Sequence, residues 1–101
     1  MFRRGRFTEV IESQLDLFER DHADVLDEAD ARLELYNRAS RDEAEELYGD
    51  YLDAVETGTE TLADMRDNYA QSLEEPDAYL RGFNKAVARR LPALALEIEN
   101  R

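Results

Sequence analysis

Residues 37–46 read NRASRDEAEE. This stretch decides whether the chain forms one very long helix or two shorter ones. Before it, Ile11, Leu15, Phe18, His22, Val25, Ala29, Leu33 and Tyr36 recur at spacings of three or four. At 100° per residue they share one arc, the mark of an amphipathic helix. After it, Leu47, Tyr51, Ala54, Val55, Gly58, Leu62, Met65, Tyr69 and Leu73 form a second arc. The two arcs are nearly in phase, so the competing reading is one continuous helix roughly 100 Å long. Two features oppose it. No apolar side chain in residues 37–46 is larger than Ala, and Ser40 precedes Glu43 by three positions. That is the spacing of a capping box, in which each side chain satisfies a backbone N–H at a helix start. We therefore expect a turn between Asn37 and Asp42. The first helix then covers residues 8–39, with Thr8 as N-cap, and the second runs to about Glu74.

The stretch EEPD, residues 74–77, ends the second helix, because a residue before proline is pushed out of the α region. A third helix starts at Asp77, with Leu80, Phe83, Val87, Leu91, Leu94 and Ile98 on its apolar face. Pro92 lies inside that pattern and removes one backbone donor, so it should kink the helix or restart it at Leu91. The expected fold is all-α: a long antiparallel helical hairpin plus a shorter, proline-kinked third helix. The expected divisions are a basic N-terminal tail at 1–7, an acidic helical hairpin at 8–75 and a C-terminal helix at 76–101. The third helix can cover only part of the hairpin's apolar faces. A four-helix-bundle-type homo-oligomer is the natural way to bury the rest. Its expected interface is Leu15, Phe18, His22, Val25, Tyr51, Gly58, Leu62 and Met65. Leu17 and Leu35 fall off the main arc and suggest a second contact surface.

Composition narrows the functional classes. The chain has 101 residues, the length of one domain, and a net charge of −12 with 38% charged residues. It has no cysteine, which excludes disulfides, a thiol nucleophile and thiolate-bound metals. No apolar run approaches the ~20 residues of a membrane span. The start, MFRRGRFTEV, has charge but no apolar core behind it, unlike a secretory signal, so a cytoplasmic location is expected. Residues 9–77 hold 23 acidic and 5 basic side chains, whereas residues 78–101 hold five basic and two acidic. An acidic body of this kind repels nucleic acid and anionic lipid, so neither is an expected partner. Arg81, Lys85 and Arg89 form a stripe at four-residue spacing. No aromatic residue interleaves them, and we expect them to pair with carboxylates of a neighbouring helix or chain. RRGR, residues 3–6, has one glycine among three arginines and is a basic tail, not a phosphate cradle. No spacing supports a Ser/His/Asp arrangement or a nucleophile elbow.

His22 is the only histidine and takes an apolar position on the first arc. With a turn centred near residue 40, it would face Gly58, which leaves room for an imidazole. One polar layer of this sort sets register in a bundle. The alternative is chemical. Glu19 lies one turn before His22, and Glu-x-x-His can present a carboxylate and an imidazole to one ion. Over these four residues the pattern resembles the ferritin-like di-iron proteins, which implies iron or another divalent metal held by Glu19, His22, Glu56 and Glu60. Glu56 and Glu60, however, flank the second arc and do not lie on it. The expected function is a non-enzymatic helical interaction or assembly protein, acting as a homo-oligomer without a cofactor and able to take a further protein partner. A ferritin-like metal-binding role is the alternative.

Overall fold

The computed structural model describes residues 5–101, and all its regular elements are helical. Of the basic tail expected at residues 1–7, residues 1–4 lie outside the described residues. The helices are α1 (Thr8–Asp21), α2 (Ala23–Asn37), α3 (Arg41–Ala70), α4 (Asp77–Arg90) and α5 (Ala95–Glu99). A 3₁₀ turn, Pro92–Leu94, joins the last two. No helix among the described residues is long and apolar enough to cross a membrane.

The chain leaves the helix after Asn37 and re-enters at Arg41, so the polar stretch does interrupt it. Ser40 takes the extended N-cap conformation (φ −70°, ψ 164°), but its hydroxyl bonds the Glu43 carboxylate at 2.8 Å and not a backbone N–H. The capping pair thus closes on itself, and the Ser40 carbonyl accepts the first α3 N–H bonds. At the other start, Phe7 and not Thr8 is the N-cap, and the Thr8 N–H bonds the Gly5 carbonyl. α3 stops at Ala70, before the expected Glu74. Pro76 precedes α4, which begins at Asp77 as its sequence indicates. Pro92 has the expected effect: Leu91 leaves the helix (φ −133°, ψ 63°) and the chain restarts in a 3₁₀ turn.

The first helix departs from expectation. It breaks at His22, whose backbone (φ −122°, ψ 30°) ends α1 and begins α2. Its N–H bonds the Phe18 carbonyl, and its own carbonyl accepts from Val25 and Leu26. The break lets one amphipathic run serve two partners. α1 turns toward α4, and α2 lies along α3. The α2–α3 contacts step from Tyr36 against Tyr48 (ring centroids 5.0 Å apart), through Arg32 Nη1 donating to the Asp50 carbonyl (2.7 Å), to Val25 beside Gly58.

The core sits where α1, α4 and the C-terminal turns meet the second half of α3. Leu15, Phe18, Leu62, Tyr79, Phe83, Val87, Leu94 and Ile98 are all fully or almost fully buried there. Burying a side chain of this size is worth about 1.5–3 kcal/mol. α1 approaches α4 closely over Gly82, where a Cβ would come within 3.1 Å of Ile11 Cδ1. The molecule is elongated, 50 × 29 × 21 Å, because the first half of α3 and its partner α2 extend beyond this core.

Candidate interaction surface

The extending part, α2 with residues 41–57 of α3, forms a two-helix arm. Its inner seam is made by Ala29, Tyr36, Tyr51 and Ala54, with an aromatic chain of Tyr36, Tyr48 and Tyr51 near its tip. Two helices have only one mutual seam, so apolar residues off it stay in water. Tyr48 and Leu52, one turn apart on α3, are exposed, and so is Leu35 on α2. Past Leu52, Glu97 of α5 shares a shallow groove of about 280 Å³ with Leu52, Val55 and Glu56. Leu96, the residue before Glu97 on α5, is 72% exposed. Of the five large apolar side chains exposed among the described residues, Leu35, Tyr48 and Leu52 lie on the arm, Leu96 on α5 and Leu17 on α1. Carboxylates rim those on the arm: residues 23–57 hold 12 acidic and three basic side chains, a balance of −9.

Of the residues expected to form the oligomer interface, Val25 and Tyr51 lie on the arm and the others outside it. Leu15, Phe18 and Leu62 have no exposed surface, and Gly58 is buried. α4, the 3₁₀ turn and α5 cover them within the chain, so a second copy cannot reach them while those elements stay docked. His22, Val25, Tyr51 and Met65 are half-buried. The register shift explains Gly58: a Cβ there would meet Val25 Cγ1 at 3.4 Å and Leu94 Cδ1 at 3.6 Å, so Val25 and not His22 faces it. The imidazole instead tilts against the Phe18 ring, 5.3 Å between centroids.

The candidate metal ligands are placed as follows. Glu19 is held by Arg90, whose guanidinium bonds Glu19 at 2.8 Å and Asp16 at 2.6 Å. Those hydrogen bonds, first to Asp16 and then to Glu19, outweigh partial burial and raise the Arg90 pKa further above its ordinary value. Glu56 and Glu60 are exposed on α3. Among the described residues no three His, Asp or Glu side chains gather at metal-holding spacing. Arg81, Lys85 and Arg89 are exposed, and among the described residues none of them makes an ion pair. The cation of α4 that does find carboxylates within the chain is Arg90.

One polar residue of consequence was not read from the sequence. Arg66, 4% exposed, donates to the Asp67 carboxylate (2.8 Å), to the Asn84 amide oxygen (3.0 Å) and to the Ile98 carbonyl (3.0 Å). It ties α3 to α4 and to the last helix. The available signal was its place four residues after Leu62 and three before Tyr69, on the second arc.

Comparison with protein-family models, with curated proteins and with solved structures finds no match for this chain.

Proposed function

We propose that this chain is a non-enzymatic helical assembly protein that self-associates, with the α2–α3 arm as its contact and a bundle of helices from two copies as the product. The observation that carries this reading is the exposure of Tyr48 and Leu52, one turn apart on the arm, together with Leu35 on α2 and Leu96 on α5. An arm of two helices buries one seam, and two helices from a second copy would complete a four-helix arrangement over these side chains. Hydrophobic burial then supplies the drive and the carboxylate rim supplies selectivity.

Sedimentation of the full chain tests it. The expected mass at micromolar concentration is twice the 11.7 kDa of one chain. Leu52→Glu with Leu96→Glu should return it to one chain's mass while leaving the helical signal intact. A parent protein that sediments as one chain throughout refutes the proposal.

A further inference from the structure

The arm is acidic, so two arms laid against each other would bring together two surfaces of balance −9. Like charges facing across a contact oppose association. The chain carries a surface of opposite sign. On α4, Arg81, Lys85 and Arg89 stand exposed in a row and form no ion pair among the described residues. Beside that row, a groove of about 260 Å³ runs between α1 and α4. Its lining includes Ile11, Ala78, Gly82 and Ala86, with Arg6, Arg89 and one carboxylate, Glu12, as its charged members. Ile11 closes over Gly82 and Ala86 is buried, so Ala78 is the exposed small residue of this lining. The exposed Tyr48 and Leu52 among carboxylates, and a partly apolar groove beside a row of three cations, are complementary in charge and in polarity.

A single chain cannot bring them together. α4 is fixed to the second half of α3 through Arg66–Asn84 and the Tyr69–Tyr79 ring contact. Tyr48 lies on the same unbroken helix, about 27 Å from residue 66 at 1.5 Å per residue. The arm therefore cannot fold back onto its own α4, and the match is available only between copies.

We infer that the arm of one copy seats Tyr48 and Leu52 in the α1–α4 groove of a second copy, with Glu45 and Glu56 against Arg81, Lys85 and Arg89. Each copy has one arm and one groove, so two copies related by a two-fold axis satisfy both contacts and close the assembly. The inference rests on the self-association proposed above and specifies which surfaces meet.

Sedimentation equilibrium across a salt series, with two charge-reversed variants, tests it. Reversing the groove rim (Arg81→Glu, Lys85→Glu, Arg89→Glu) should weaken the parent dimer roughly tenfold or more. Reversing the arm (Glu45→Lys, Glu56→Lys) should do the same. An equimolar mixture of the two variants should recover dimer, because both contacts then pair opposite charges. Parent association should weaken as salt rises. If the parent dimer tightens with salt and the groove variant still dimerises, the arms meet each other; self-association stands and the groove assignment falls. If the parent is a single chain at every salt concentration, both readings fall. If a variant does not fold, the salt response of the parent alone decides between arm-to-groove and arm-to-arm contact.

Discussion

Replacing Arg66 with methionine keeps an unbranched side chain to fill the space and removes only the guanidinium. Three acceptors lose their donor. The Ile98 carbonyl is bonded by Arg66 in a buried setting, and leaving such a group without a partner costs about 1–3 kcal/mol. The Asn84 amide is half-buried and can turn partly to water, so its share is nearer ~1 kcal/mol. The Asp67 carboxylate is about half exposed and adds less than about 1 kcal/mol. The expected loss is about 2–4 kcal/mol. An unfolding entropy of about 2.1 cal/mol/K per residue converts that to a fall of about 10–20 °C in Tm for a chain of this length. Thermal unfolding followed by circular dichroism measures it. Hydrogen exchange should show Leu94–Ile98 losing protection first, since the guanidinium ties α5 to α3. Arg66→Met melting within about 3 °C of the parent, with α5 still protected, would show that apolar packing alone holds the C-terminal turns.

Tyr79 is fully buried, which pushes its phenol up to about 12 against the opposing hydrogen bond with Gln14. The unfolded chain releases this proton near pH 10 and the folded chain holds it. Stability from this group is therefore complete below pH 10 and should fall by about 2–3 kcal/mol as pH rises toward 12. Tyr79→Phe should flatten that slope in denaturant titrations, and an unchanged slope would assign it to other groups. Gly49→Ala should raise stability by about 0.5–1 kcal/mol in the same titrations, because nothing lies within 4 Å of the added methyl and alanine favours the helix. No gain there would mean that α3 frays at this point. Ferrous iron, zinc and manganese should leave the Tm of the parent and of His22→Ala unchanged. A stoichiometric rise in the parent alone would establish Glu19 and His22 as ligands.

Much of the helical plan was legible because its signals are local. The interruption near Ser40, the start at Asp77 and the break at Pro92 each follow from a few neighbouring residues. The break at His22 was not legible, since no residue of FERDHADVL stops a helix by propensity. It is set by where α1 and α2 must go, which is a non-local matter. Four of the expected interface residues, Leu15, Phe18, Gly58 and Leu62, are covered within the chain for a related reason. Periodicity marks Leu15, Phe18 and Leu62 as buried but does not say what buries them, and α4 and α5 do so from within the chain. Arg66 stood on the apolar arc in plain view, but a charged residue there is ordinarily at the boundary. Its acceptors, Asn84 and Ile98, lie 18 and 32 residues away.

The His22 junction also divides the chain by the distance over which its contacts close. Across α2 and α3, Arg32 reaches Asp50 over 18 residues. Across α1 and α4, Gln14 reaches Tyr79 over 65 residues, and Arg90 reaches the Glu12 carbonyl over 78. Short loops close at lower entropic cost, so the arm assembles early in folding. α1, freed from α2 by the kink, waits for α4 and α5 before its hydrophobic side is covered. During that interval Ile11, Leu15 and Phe18 are open to other chains. The junction that gives the folded protein two packing directions is thus expected to make the apolar side of α1 the last surface covered as the chain folds.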